Sequence, residues 1–136
     1  MKNIPILIIA LYSTATISYA AQRYTGKLMD ADCYNSKKVA SQESGHKTYH
    51  SITKTCAATD STTNFAVRIT GSPYGADIGT TIKLDDSGNA QAMSEMNTGV
   101  LKTDRDGYVD VRVRGQLRGE VLTNASINPL HGKSRA

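Results

Sequence analysis

The feature that most constrains the fold of this chain is a strict alternation of valines with charged residues. It runs over six positions, Val109-Asp110-Val111-Arg112-Val113-Arg114. Successive side chains of a β-strand point to opposite faces, so a strand here would direct its valines inward and its arginines outward. Gly115 follows directly and predicts a bend or a bulge, because strand glycines often mark such positions. The chain therefore contains a half-buried strand, and its arginine side faces solvent.

Four other segments show related patterns and predict further strands, over residues 24–30, 64–70, 78–84 and 121–127. Residues 85–89 and 104–107 are rich in Asp, Gly, Ser and Asn, which is typical of tight reversals. Residues 90–96 fit either a helical face or a strand, and we favour a strand. Pro129 begins a short basic tail. The pattern predicts a mainly β fold, a small barrel of five to six strands.

A polar segment interrupts this series of strands between residues 34 and 55. We interpret it as an excursion from the barrel with one short helix from His46 to Ala57. Tyr49, Ile52 and Cys56 would share the inner face of that helix at helical spacing.

The N-terminal residues have the layout of a secretory signal peptide. A basic start with Lys2 is followed by an apolar run, and Ser18-Tyr19-Ala20 supplies the small residues of a cleavage site. Cleavage after Ala20 leaves residues 21–136 as a single domain without a membrane-spanning segment. The expected location is periplasmic or secreted.

The two cysteines, Cys33 and Cys56, both lie after the predicted cleavage site. An oxidising compartment favours a structural disulfide between them, which would fasten both ends of the polar excursion. A loop of this length corresponds to roughly 3 kcal/mol of stabilisation in the chain-entropy model. A two-thiolate metal site and a reactive pair are the alternatives, and the absence of a C-x-x-C motif makes both less favoured.

Three short motifs resemble those of a family of small exported bacterial proteins with an OB-like barrel. The chain has the opening Gly26-Lys27-Leu28-Met29-Asp30-Ala31-Asp32-Cys33, a second cysteine ahead of Phe65-Ala66-Val67, and the strand Val109-Asp110-Val111-Arg112-Val113-Arg114-Gly115. Proteins of this family open with a G-x-L-x-D-x-x-C pattern. The resemblance implies an OB-like β-barrel fold, and it brings no catalytic residue with it.

The basic residues offer the best candidate for a binding site. Arg112 and Arg114 project from one strand face, Arg68 projects outward from another strand, and Arg118 lies near the following reversal. If these strands are neighbours, guanidinium groups converge in an arrangement that suits phosphate or carboxylate recognition. The alternative is an ordinary solvated strand face.

After loss of Lys2 the net charge is about +3. This charge is too low for a typical nucleic-acid binder, so no nucleic-acid partner is expected.

The sequence contains only weak indications of an enzyme. His46 and His50 have a spacing that can hold a metal, but Glu43 is the only acidic residue near them, and two solvated histidines are the favoured interpretation. Asp104-x-Asp106-Gly107 begins like a calcium loop and lacks its closing glutamate. No serine lies in a G-x-S-x-G setting.

We therefore expect an exported, non-enzymatic binding or envelope-associated accessory protein with no catalytic residue and no cofactor. Its expected partner is an anionic envelope ligand or another envelope protein. The alternatives are a small secreted metal-dependent enzyme and a protein–protein interaction subunit of an envelope complex.

Overall fold

The computed structural model describes residues 21–44, 49–73, 75 and 78–130. In chain order the elements are β1 Gln22–Asp30, α1 Ala31–Ser44, α2 Tyr49–Thr55, β2 Phe65–Gly71, β3 Thr81–Leu84, α3 Asp86–Thr98, β4 Asp110–Arg118 and β5 Val121–Pro129. The predicted signal peptide, residues 1–20, lies outside the described residues.

The five strands form a closed barrel in the order β1-β2-β3-β5-β4. Neighbouring strands are antiparallel except for β3 and β5, which run parallel, and α3 connects β3 to β4. The predicted fold class, a mainly β, OB-like barrel with one disulfide, is confirmed.

The barrel interior is filled from alternate positions of the strands, as the periodicity predicts. Val109, Val111 and Val113 are completely buried, whereas Arg112 and Arg114 on the opposite face are exposed. The other large buried side chains of the interior are Tyr24, Leu28, Phe65, Val67, Ile69, Ile82, Leu84, Leu101, Leu122 and Ile127. Hydrophobic burial at these positions determines which face of β4 remains available to a ligand.

The β4–β5 pairing contains a β-bulge at the position predicted from Gly115. Gly115 of β4 stands opposite two residues of β5, so the extra residue belongs to β5. The β4–β5 register shifts between Arg114 and Gln116, and Asn124 on β5 has a positive φ of 50°. A Cβ at Gly115 would lie 2.6 Å from the Thr123 carbonyl oxygen, so only glycine permits this close approach.

The predictions for residues 85–96 were wrong, because this segment forms α3 rather than a turn and a strand. Asp85 is the N-cap of the helix, and its carboxylate accepts a hydrogen bond from the Gly88 amide at 2.9 Å. The residue types that favour turns also favour helix N-caps, which explains the error. A Cβ at Gly88 would lie 2.8 Å from Ala125 Cβ, so a glycine here allows α3 to pack closely on β5.

The side chain of Gln91 holds α3 against β5. Its amide nitrogen donates to the Ile127 carbonyl at 3.1 Å and to Glu95 at 3.2 Å, and its amide oxygen accepts from the Ile127 backbone amide at 3.0 Å. Burial raises the pKa of Glu95 above its usual value, an effect that the hydrogen bond from Gln91 partly opposes.

We expect Asp85→Ala to lower the free energy of unfolding by about 2 kcal/mol, because one carboxylate fastens two elements. Its second oxygen accepts a hydrogen bond from the Asn124 amide at 2.8 Å, which ties the start of α3 to the bulge in β5. Chemical denaturation measures the loss. Asp85→Asn keeps one acceptor oxygen and should lose clearly less, and an equal loss in the two variants would contradict this explanation.

The polar excursion is mainly helical, since α1 extends over residues for which the sequence predicted no helix. The short helix predicted from His46 to Ala57 corresponds to α2, which spans Tyr49–Thr55. Ile52 and Cys56 are buried as expected, whereas the side chain of Tyr49 lies outside the described part of the structure.

The predicted Cys33–Cys56 disulfide is present. It joins the first turn of α1 to the end of α2, beside a second, smaller core on the outside of the barrel. There Met29 of β1 and Ala66 of β2 are paired and fully buried beneath the helices. The helices therefore cover one end of the outer face of β1 and leave its other end open.

Several strand boundaries differ from the predictions. β1 begins two residues earlier, at Gln22, and β2 spans Phe65–Gly71 rather than residues 64–70. β3 begins at Thr81 rather than at residue 78, and Ile78 is 55% exposed in the preceding turn. β5 extends beyond residue 127 to Pro129, where it pairs with Val111 of β4.

Candidate anion-binding face

Three arginines lie together on the open outer face of β1 and β4. Arg23 of β1 is directly opposite Arg114 of β4, and Arg112 is opposite Thr25 of β1. All three arginine side chains are exposed. Cα atoms of directly opposed residues are about 4.5–5.5 Å apart, and residues two apart on one strand are separated by about 7 Å, so the three guanidinium groups can reach a common point. We call Arg23, Arg112 and Arg114 the arginine triad.

Within the described part of the chain, no carboxylate compensates the charges of the triad. Like charges directly opposite each other on neighbouring strands destabilise a sheet. Among the described residues, no acidic side chain forms an ion pair with Arg23, Arg112 or Arg114. An anion bound from outside would relieve the repulsion between these groups.

The adjacent row of the same face is neutralised internally. Lys27 of β1 lies opposite Asp110 of β4, and their Nζ and Oδ1 atoms are 2.7 Å apart. The Lys27 ammonium group also lies 4.3 Å from the centre of the Tyr108 ring, within the range of a cation–π contact. The exposed positive charge of this part of the barrel is therefore concentrated at the triad.

A groove of about 340 Å³ opens beside the triad. It forms where β2 diverges from β1, because β1 pairs with β2 only from Thr25 onward, while its pairing with β4 begins at Gln22. Its lining consists of Arg23, Tyr24, Thr25, Gly71, Ser72, Pro73 and Arg112. Two members of the triad, Arg23 and Arg112, thus belong to the lining of the groove, and its volume falls in the range of small-molecule sites.

The structure brings together only some of the arginines that the sequence singled out. Arg112 and Arg114 are neighbours, and Arg68 lies in the next row, opposite Lys27 and half-buried. Arg118 lies near the β4–β5 turn, four residues beyond Arg114, which corresponds to about 13 Å along a strand.

Sequence reasoning missed Arg23, although a signal for it was present. Arg23, Thr25 and Lys27 alternate with Tyr24, Gly26 and Leu28, so extension of the predicted first strand by two residues would have placed Arg23 on the outer face. Its position opposite Arg114 depends on a long-range pairing that no local pattern indicates.

The motif Asp104-x-Asp106-Gly107 organises a turn, as the sequence suggested. One oxygen of Asp104 accepts hydrogen bonds from the backbone amides of Asp106 at 2.9 Å and Tyr108 at 3.0 Å. Gly107 has a φ of 89°, the left-handed conformation that glycine adopts without strain. The Asp104 carboxylate therefore serves the backbone of its own loop.

The alternative metal site cannot be assembled from the described side chains. His46 lies outside the described residues, and His50 lies in α2 without a described side chain. Among the side chains that are described, no three metal-ligating groups cluster.

No family model, curated protein or solved structure matches this chain. In the described part of the chain, no helix has the length and apolar character needed to cross a membrane.

Proposed function

We propose that this protein is an exported, non-enzymatic binding module that recognises an anionic polymer of the cell envelope through the arginine triad. The observation on which the proposal depends is the direct opposition of Arg23 and Arg114 without an acidic partner among the described residues. A sheet gains no stability from such a pair, whereas a ligand gains charge-assisted hydrogen bonds from it.

The chemistry of the face favours binding over catalysis. Guanidinium groups stay protonated at all physiological pH values, so they cannot act as general acids or bases there. They are suited to hold an anion in a fixed orientation, because their planar donors form paired hydrogen bonds to its oxygens.

The surroundings of the triad favour a polar polymer over an inserted membrane anchor. Arg112 is paired with Thr25 of β1 and with Asn128 of β5. Arg114 is paired with Ser126 of β5, so all of these neighbours are polar. A face that inserts into the acyl region of a bilayer presents exposed apolar side chains.

The disulfide supports the exported location in the proposal. Structural disulfides persist in oxidising compartments and are rare in the cytosol, where thiols are kept reduced. Both the Cys33–Cys56 bond and the predicted signal peptide are consistent with export.

The triad should account for most of the salt-dependent binding of anionic polysaccharides. We expect the protein to bind dextran sulfate and not neutral dextran, with affinity that falls as salt is raised from 50 to 300 mM, because screening shortens the reach of exposed charges. Arg23→Ala, Arg112→Ala and Arg114→Ala combined should weaken binding at low salt at least tenfold. Biolayer interferometry with immobilised polymer measures this, and circular dichroism checks that the barrel remains folded.

Arg118→Ala is the matched control for charge, because it removes an exposed arginine of the same strand outside the triad. It should change the affinity less than twofold. Equal losses for Arg118→Ala and for Arg112→Ala would show that net charge alone drives binding, and unchanged binding in the triple variant would refute the proposal. Vesicles containing phosphatidylglycerol test the lipid alternative, and stronger triad-dependent binding to them than to dextran sulfate would replace the polymer by a membrane surface.

A further inference from the structure

We infer that the triad and its groove form a site for a phosphorylated saccharide, with a phosphate monoester on the arginines and the sugar in the groove. This inference rests on the proposed function and specifies the ligand class of the same face. The geometry joins the two parts, since Arg23 and Arg112 belong to the triad and also line the groove.

The number of donors in the triad favours a phosphate monoester over a carboxylate. Each guanidinium group can direct a pair of parallel N–H groups at one anion, so three forks offer about six hydrogen bonds. A carboxylate has two oxygens with about four acceptor sites in total. A phosphate monoester has three strong acceptor oxygens where the carboxylate has two, and its charge at pH 7 is about −1.5 to −2. It therefore satisfies more of the donors and more of the charge.

The groove favours a polyhydroxylated body for the same ligand. Thr25, Ser72 and Pro73 belong to its lining. The Thr25 hydroxyl donates to the Gly71 carbonyl at 3.3 Å, and its oxygen can still accept a hydrogen bond from a sugar hydroxyl, which both donates and accepts. At about 340 Å³ the groove is large enough for a small ligand and lies at the lower end of the usual range for such sites.

Calorimetric titration of the mature chain with glucose 6-phosphate, glucose 6-sulfate, glucuronate, glucose and inorganic phosphate tests the inference. We expect glucose 6-phosphate to bind at least tenfold more tightly than glucuronate, because the carboxylate leaves part of the forks unpaired. It should also bind more tightly than inorganic phosphate, because only the sugar ester fills the groove. Its affinity should fall between pH 7.5 and pH 5, as the phosphate takes up a proton near pH 6, while glucose 6-sulfate should not show this fall.

Arg112→Lys is the informative variant, since lysine keeps the charge and lacks the planar fork. It should reduce the preference for glucose 6-phosphate over glucuronate to less than threefold, because both anions then meet a point charge in place of one planar fork. A dextran carrying phosphate monoesters distinguishes the sources of the ligand. Binding with the same affinity per phosphate indicates a polymer-borne group, and selective binding of the free sugar phosphate indicates a soluble metabolite.

Two results would overturn the inference, and they separate it from the proposed function. If the phosphate, sulfate and carboxylate sugars bind within twofold of one another while dextran sulfate still binds through the triad, the face recognises anions generally and the phosphate preference is wrong. If neither dextran sulfate nor any of the sugar anions binds in a triad-dependent manner, both the inference and the proposed function fail.

Discussion

Gly26→Ala should destabilise the barrel by about 3 kcal/mol, the upper end of the usual cost of overpacking. A Cβ at this position would lie 2.2 Å from the Arg68 carbonyl oxygen and 2.7 Å from a methyl carbon of Val67. One of these neighbours is backbone, so rotation of a side chain cannot relieve the contact, and β1 would have to separate from β2. A shift in their register between Thr25 and Gly26 already marks the close approach.

Urea denaturation followed by circular dichroism measures the effect. Thr70→Ala is the comparison, because Thr70 is exposed on β2 and its side chain makes one long hydrogen bond, 3.5 Å to the Thr25 carbonyl, so we expect it to lose less than about 1 kcal/mol. A Gly26→Ala variant as stable as Thr70→Ala would show that the two strands have room to separate locally without cost.

Removal of the disulfide by the double substitution Cys33→Ser and Cys56→Ser should cost about 2–5 kcal/mol, as is typical of small secreted domains. The bond connects residues separated by 23 positions and so restricts the unfolded chain. In the folded state it fixes α1 and α2 over Met29 and Ala66, whose burial depends on that cover. Cys56 itself is only 1% exposed, so its replacement by serine also buries a hydroxyl group in an apolar cluster.

Thermal unfolding of the oxidised protein and of the double variant measures the loss. Reduction of the wild-type protein under native conditions provides the control, since it removes the bond without introducing serine. Both should melt well below the oxidised protein, with the serine variant slightly lower than the reduced protein. Equal melting temperatures for the oxidised and reduced proteins would show that the helices hold their position without the bond.

The sequence predicted those parts of the fold whose periodicity is unambiguous. The valines of β4 and the alternation of Phe65, Val67 and Ile69 in β2 indicate strands because the pattern repeats every second residue and has one buried face. The disulfide could be predicted because the chain has only two cysteines.

The helices were harder to predict, for two different physical reasons. α1 is highly polar, with consecutive Lys37 and Lys38, and has no continuous apolar stripe, so its pattern resembles a loop. α3 has only four apolar side chains, from two alanines and two methionines. Its N-cap is Asp85, a residue type that favours turns as much as helix starts. In α3 the decisive evidence is tertiary, because Gly88 and Ala92 are buried only once β5 is in place.

The candidate site could be predicted only in part. The exposure of Arg112 and Arg114 follows from the strand pattern, but the sequence does not reveal which strand lies beside them. Arg23 lies in the site because β1, near the beginning of the described chain, pairs with β4, which is distant from it in sequence. Arg118 has no partner residue on β1, because the pairing of β1 with β4 ends at Gln22 and Gly115.

The closure of the barrel between β1 and β4 also determines how the protein can fold. Lys27 and Asp110 are neighbours in the closed barrel but 83 positions apart in sequence. Topologies dominated by such distant pairings fold in milliseconds to seconds, because the entropy of a long loop must be lost before the contact forms. Until β4 pairs with it during folding, β1 has an unpaired edge that can pair with strands of other chains. The last third of the sequence therefore controls whether the first strand is protected from aggregation.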